Sequence, residues 1–310
     1  MLLYKGADLA PSDRRLEGDL AARFLVLGSR GRLGRAFMEE LCRRGKCVQG
    51  FDLPDVDIAD VDSVSAAVRQ ARADVIFNAA AYTDVDGAET AEAAAARANA
   101  EGPAILAELA AARDALLVHV STDYVFDGRK AAPYVEDDPP APLNAYGRTK
   151  LAGEEAVRAS GVRHLIVRSA WFFAPWGGSF VSGILSQARE GKPLRVVDDV
   201  RGSPTSVTDL AEAVVELALR NPDARDTYHV VNSGEASWRE LAAAAVELAG
   251  LRVPVEPLLA KDAPPRPAAR PRFSVLSPKK FERALGRPMR HWREALRDCI
   301  SRMSGASSPP

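Results

Sequence analysis

The chain has 310 residues, 47% of them hydrophobic and 27% charged, with a formal net charge of -1. That is enough apolar material for one large α/β domain or two intimate ones, and the near-neutral balance argues against a nucleic-acid or polyanion-binding surface. No apolar run reads as a membrane span. The three cysteines (Cys42, Cys47, Cys299) form no Cys-x-x-Cys, which argues against a disulfide scaffold and for a reduced, cytoplasmic setting.

Residues 1–22 are charged throughout and lack the apolar core of a signal peptide, so they read as an extension before the first strand. Arg23 to Leu27 is a buried strand that stops at glycine. Arg35 to Arg44 has helical periodicity, and Lys46 to Phe51 is a second strand ending at Asp52. A helix over Ser63 to Arg72, a strand over Asp74 to Asn78 and an alanine-rich helix over Glu89 to Ala112 follow. Then come a strand at Ala115 to Val120, a helix at Ala145 to Ser160 and a strand at His164 to Ser169. The alternation predicts an α/β fold, a Rossmann-type doubly wound parallel sheet.

The second half is mixed: helices at Ser179 to Gly191, Thr208 to Arg220, Trp238 to Ala249 and Trp292 to Met303, and a strand at Thr227 to Val231. A proline-rich stretch, Pro254 to Pro271, is too poor in hydrogen-bond donors for core strand or helix. The expected organisation is a dinucleotide-binding domain over 23–170, with 207–232 packing back on it. Residues 171–206 and 233–302 would form a smaller C-terminal substrate-binding lobe across a cleft, and 303–310 a disordered tail. A basic stretch from Arg266 to Lys280 could meet an anionic substrate.

Gly28-Ser29-Arg30-Gly31-Arg32-Leu33-Gly34 follows a strand and opens a helix, the context in which glycines admit a pyrophosphate to a helix N-terminus. The spacing is Gly-x-x-Gly-x-x-Gly. Asp52, ending the second strand, can accept from adenosine ribose hydroxyls and favours NADH; Arg30 and Arg32 could counter it and admit NADPH, so both coenzymes stay open. Asp57 and Ile58 suit an adenine amino group and ring face. In Asn78 to Thr83, the small Ala80 and Ala81 and the following Tyr82 let the chain pass close to a cofactor. Asn99 is a poor helix former in an alanine-rich helix, fit to hold a bend or a water.

Ser121-Thr122-Asp123 ends the fourth strand, where ligands bind in such sheets. Thr122 offers a hydroxyl to a carbonyl oxygen and Asp123 an acceptor to a sugar hydroxyl. Tyr146 and Lys150, four apart, share a helix face, where the cation is expected to lower the phenol pKa toward a working general acid. The four histidines lie far apart without metal-ligand spacing, and no metal site is expected.

Together these motifs resemble an extended short-chain dehydrogenase/reductase, and more closely the dTDP-4-dehydrorhamnose reductase family. The likeness rests on NAAAYTDVD (78–86), STDYVFDG (121–128), PLNAYGRTK (142–150), RSAW (168–171), GSPT (202–205) and RPRFSVL (270–276), and it runs from about Phe24 to Ile300. The resemblance implies NAD(P)H-dependent reduction of the 4-keto group of dTDP-4-dehydro-6-deoxy-L-mannose, in dTDP-rhamnose biosynthesis. It implies Tyr146 as proton donor, Lys150 holding the nicotinamide ribose, Thr122 polarising the carbonyl, and Asp123 and Trp171 facing the substrate. Two departures stand out. Val200 takes a place where relatives usually carry Gln, and Arg35-Ala36-Phe37 occupies the turn from which some members bind Mg²⁺ through a Glu. Another nucleotide-deoxysugar reductase or epimerase is the nearest alternative. The chain also resembles the regulatory beta subunit of methionine adenosyltransferase, a reading that the intact Thr122/Tyr146/Lys150 set argues against. A homodimer is left open.

Overall fold

The computed structural model describes residues 22–305, so all of the N-terminal extension but Ala22, and the tail beyond Gly305, lie outside the described residues. Strand β1 (Arg23–Leu27) is apolar on both faces because both are covered. Phe24 and Val26 enter one core, and Leu25 and Leu27 enter another. Helix α1 (Arg32–Arg43) leads to β2 (Cys47–Phe51), and α2 (Val61–Ala71) to β3 (Val75–Asn78). A broken helix follows: α3 (Glu92–Ala96), a π turn (Arg97–Glu101) and α4 (Gly102–Ala111). Strand β4 (Leu116–Thr122), helix α5 (Ala145–Ala159) and strand β5 (His164–Ser169) complete this run.

The chain then leaves the sheet through β6 (Phe172–Phe173), α6 (Phe180–Arg189), β7 (Leu194–Val197), β8 (Arg201–Gly202) and β9 (Thr205–Ser206). It returns as α7 (Val207–Arg220), which packs beside α1, and β10 (Arg225–His229), which pairs with β5. The remainder is β11 (Ala236–Ser237), α8 (Trp238–Leu248), β12 (Val255–Leu258), α9 (Lys279–Leu285) and α10 (Trp292–Gly305).

Six parallel strands make the main sheet in the order β10-β5-β4-β3-β1-β2. The winding direction reverses between β1 and β3, which opens a crevice at their carboxyl ends. One core lies between the sheet and α1, α7 and α9; the other lies under α2, α4 and α5. A third, built from α6, α8 and α10 around Phe173, Leu241 and Leu296, belongs to the outlying lobe.

The structure departs from the sequence reading in three places. The single helix expected over Glu89 to Ala112 is split by the π turn that carries Asn99. Within the proline-rich stretch, Val255–Leu258 forms a strand, but only in a two-stranded parallel sheet with β7, where Pro257 costs little ladder pairing. Helix α10 runs to Gly305 rather than ending at Met303, taking in the first residues assigned to a disordered tail.

The turn from β1 into α1 depends on glycine contacts. Gly28 sits at φ +76, and a Cβ on Gly34 would stand 1.9 Å from the Gly28 carbonyl oxygen. Gly34→Ala should therefore force the turn open and cost about 1–3 kcal/mol, read as a lower urea midpoint at unchanged m-value.

Candidate active site

The carboxyl ends of β1 to β4 surround a cavity of about 320 Å³. Gly28, Gly31, Arg32 and Leu33 form its floor, Asp52, Asp57 and Ile58 one end, and Ala80 and Ala81 a wall. Tyr146 and Lys150 close the other side. Helix α1 begins at Gly31 with no side-chain cap and no acid in its first turn, so its leading N–H groups remain for an anion. Asp52 accepts from Arg30 N at 2.7 Å and Leu53 N at 2.8 Å, which ties the glycine turn to the end of β2. The Arg30 guanidinium is drawn to the Leu53 carbonyl and into an ion pair with Asp55. Arg32 is half-buried where it lines the cavity, and desolvation lowers its pKa.

Three residues assigned to the cofactor do not line this cavity. Gly34 packs behind Gly28. Asn99 is fully buried, and its amide is spent inside the protein: Oδ1 accepts from Tyr82 N at 2.9 Å, and Nδ2 donates to Tyr82 O and Thr149 Oγ1, each at 3.1 Å. The π turn thus clamps the Tyr82 loop and α5 together, and both Tyr82 and Asn99 act here as brackets.

Helix α5 presents the reactive set. Asn144 caps it by accepting from Gly147 N at 2.8 Å, and Glu89 accepts from Ala145 N at 2.7 Å. A Cβ on Gly147 would stand 2.2 Å from the Tyr124 carbonyl oxygen, so only glycine lets the helix approach the turn after β4 this closely. Lys150 is 2% exposed and donates to the Val120 carbonyl at 2.7 Å. Burial lowers its pKa to about 8, against the pull of Glu154, so at about pH 7 it is an ammonium.

The Tyr146 phenol differs from expectation. Burial raises its pKa to about 12, the Thr122 hydrogen bond lowers it in part, and the Asp123 charge raises it; Lys150, turned to the Val120 carbonyl, does not contribute. Asp123 lies below, 2% exposed, with Oδ1 accepting from Thr122 Oγ1 at 3.0 Å and Oδ2 buried without a partner. Burial pushes its pKa up to about 6, opposed by hydrogen bonds from Ser274 and Thr122.

A second cavity, of about 1080 Å³, opens on the lobe side. Trp171 and Val200 line it together with Trp238, whose ring stacks on Trp171 at 3.6 Å and 10°. Its charged lining is Arg195, Lys261, Arg266, Arg270 and Arg272, with no acid. Arg270 is held by Asp86 through two bonds of 2.9 Å, which pins the basic loop over the site. Tyr124 lines this second cavity and packs edge-on against Tyr146 of the first, at 5.9 Å. Trp238 and Arg195 were not anticipated from sequence. Trp238 reads there as an ordinary first residue of a helix capped by Ser237, and Arg195 as one charge in a short strand. Lys280, at the end of the basic stretch, is engaged elsewhere with Asp226. Among the described residues no three of His, Cys, Asp and Glu gather as a metal site, and no helix is long and apolar enough to cross a membrane.

A doubly wound sheet with a glycine turn at its switch point, and a Thr–Tyr–Lys set beside it, defines a short-chain dehydrogenase/reductase type of protein. The family model for the RmlD substrate binding domain matches residues 22–304, and the chain belongs to that family. It is 39% identical over 289 residues to a probable dTDP-4,6-dihydroxy-2-methyloxan-3-one 4-ketoreductase of Streptomyces antibioticus, covering 93% of this chain and 98% of the relative. It is also 39% identical over 295 residues to the dTDP-4-dehydrorhamnose reductase of Streptomyces griseus, covering 93% and 96%. Among solved structures, the dTDP-4-dehydrorhamnose reductase of Bacillus anthracis in complex with NADP superposes at a TM-score of 0.86, with 34% identity over 90% of this chain and 99% of that one.

The buried Asp123 carboxylate has a cost that pH can reveal. Its folded pKa, about 6, lies above the ordinary 3.8, so the folded state holds the proton longer and stability falls as pH rises through that window. Asp123→Asn should therefore unfold at a higher urea concentration than the unmodified protein at about pH 8, and the gap should close below about pH 4. A gap independent of pH would show that the buried charge is not its source.

Proposed function

We propose that the protein reduces the 4-keto group of dTDP-4-dehydro-6-deoxy-L-mannose to give dTDP-L-rhamnose, with NADH or NADPH as reductant. The observation that carries this reading is that Tyr146 and Lys150 line a cavity suited to a dinucleotide, and that Tyr146 packs against Tyr124 of a second cavity lined by cations without an acid. The first cavity fits a nicotinamide coenzyme by its polar groups: an uncapped helix start to donate to the pyrophosphate, Asp52 to accept from the adenosine ribose and Lys150 to donate to the nicotinamide ribose. When bound, the reduced nicotinamide supplies hydride to the ketone carbon. In the second cavity Arg195, Lys261, Arg266 and Arg272 make no ion pair among the described residues, so they remain for a nucleoside diphosphate. The Trp171–Trp238 shelf offers a flat apolar face to a base or deoxysugar.

Tyr146 donates its proton to the oxygen that gains charge as the carbonyl is reduced, and Thr122 turns its one proton from Asp123 Oδ1 to donate to the same oxygen. Lys150, bonded to the Val120 carbonyl, fixes the helix that carries Tyr146 against β4. Each donor aimed at developing charge contributes about 3 kcal/mol. Asp123, expected to face the substrate, is instead buried and lines neither cavity; it holds the Thr122 hydroxyl before substrate arrives. A nicotinamide reductant and free cysteines at Cys42, Cys47 and Cys299 agree with work in the cytoplasm.

One observation favours a second reading. Val200 puts an apolar side chain on the wall of the substrate cavity. The Streptomyces antibioticus relative is named for an oxane ring bearing hydroxyls at carbons 4 and 6 only. On this reading the substrate is a 4-keto sugar with one hydroxyl fewer, and the chemistry at Tyr146 is unchanged.

Coenzyme oxidation with enzymatically generated dTDP-4-dehydro-6-deoxy-L-mannose tests both. The expected outcome is turnover that falls at least about 100-fold in Tyr146→Phe with coenzyme affinity nearly intact. A higher kcat/KM for the analogue lacking a ring hydroxyl would select the second reading. No turnover of either sugar with either coenzyme would remove the assignment.

A further inference from the structure

We propose that Glu154 is a positioning residue for this reduction: from one turn beyond Lys150 its carboxylate sustains the lysine charge and locks the Thr122 end of β4 in register with Tyr146. The inference rests on the roles given above to Tyr146 and Lys150. Tyr146, Lys150 and Glu154 are spaced four apart and share one face of α5. Glu154 is fully buried. It accepts from Ser121 Oγ at 2.5 Å, from Arg168 Nε at 2.9 Å and Nη2 at 2.7 Å, and from Arg158 Nη2 at 2.7 Å. Arg168 is itself 2% exposed, and it pairs with Ser121 across the β4–β5 ladder.

A buried ion pair is a poor device for stability alone, since apolar residues of similar volume hold a core as well or better. Two features of this one have a use beyond holding a core. Its Ser121 arm grips the residue before Thr122, so with the Lys150–Val120 bond it ties α5 to two successive residues of β4. Its negative charge also reaches Lys150, where it opposes the burial that drives the ammonium toward deprotonation.

The titratable groups around Lys150 allow its contribution to be separated. On α5 these are Tyr146, raised to about 12, and Glu154, held low by Arg168 and its other donors although burial opposes them. On β4 and the turn after it they are His119, whose pKa burial drives well below the usual imidazole range, and Asp123, at about 6. On β5 the facing group is Arg168, engaged by Glu154. Between about pH 7 and 9 Lys150 alone among these changes charge, so it owns the alkaline fall in kcat/KM. Removing the Glu154 charge lowers the Lys150 pKa further, and that fall must move to lower pH.

The experiment measures kcat/KM against pH at saturating coenzyme for the unmodified protein, Glu154→Gln, Glu154→Asp and Ser121→Ala, with coenzyme affinity from nicotinamide fluorescence. Glu154→Gln should lose about tenfold or more in kcat near neutral pH, and its alkaline limb should shift down by about one unit. Glu154→Asp keeps the charge and should return the limb to the unmodified position. Ser121→Ala leaves Arg168 paired and should lower kcat without moving the limb, and it serves also if the Gln variant does not fold. An unmoved limb in a folded Glu154→Gln variant, or an unchanged kcat in Ser121→Ala, would overturn the proposal. Absence of turnover in the unmodified protein would instead remove the reductase reading on which it rests.

Discussion

Helix α5 carries a cation out of water, and the geometry of the site follows from how that cation is kept. Lys150 is 2% exposed, a position that costs several kcal/mol unless its donors and charge are met. The Val120 carbonyl takes one proton at 2.7 Å, and Glu154 supplies a charge one turn away. Both partners bind the helix to the last residues of β4, so meeting the needs of the lysine also fixes where Tyr146 stands above Thr122. The opposite flank of α5 is held through Thr149 and Asn99, whose π turn lets the Tyr82 loop close on the same helix. One element thus touches the strand that carries the hydroxyl, the loop beside the coenzyme cavity and the buried ion pair behind it.

Charge divides the two cavities by chemistry. The first has carboxylates at its far end, Asp52 and Asp57, and bare helix N–H groups at its floor. Those suit ribose hydroxyls and a pyrophosphate respectively. The second has five cations and no acid, with a tryptophan pair at its base. A single dinucleotide would match only the first, and a nucleoside diphosphate sugar only the second. Tyr124 against Tyr146 is where the two meet, and on the proposed function this is where a ketone and a nicotinamide face one another.

Much of the fold was legible because a parallel sheet covered on both faces writes itself as short apolar runs closed by glycine or acid. The runs closed at Gly28 and Asp52 did so, and those ending at Asn78 and Thr122 stop at other small polar residues. Less legible were features that tertiary contact decides. The π turn at Asn99 announced itself only as a poor helix former among alanines. Val255–Leu258 is a strand because β7 offers it a parallel partner, against the preference of its own proline. Glu154 with Arg158 reads in sequence as an ordinary surface pair at i,i+4, and nothing local reveals that Arg168 and Ser121 reach it from the sheet. Trp238 gives no signal of a cavity until its ring is seen on Trp171. For Tyr146 the helix spacing was read correctly, but the electrostatic consequence drawn from it was not, because spacing says nothing of burial or of where the ammonium points.

That last difference bears on the mechanism proposed for Tyr146. A phenol held near 12 is fully protonated at neutral pH, which is the state a proton donor must be in before reaction. Lowering it toward 7 would leave it part ionised and would place a second negative charge beside Asp123. The oxygen that receives the proton is a ketone oxygen becoming an alkoxide, a far stronger base than a phenolate. Transfer is therefore downhill once hydride has moved, even with the raised value. The demand on the site is then to stabilise the phenolate left behind until the proton is replaced. The Thr122 hydroxyl alongside does this, while Lys150 is turned to the Val120 carbonyl and does not contribute; a donor preorganised in this way need not reorganise at the moment of reaction. On the proposed mechanism burial keeps Tyr146 loaded, and the Thr122 hydrogen bond meets part of the charge that its unloading creates.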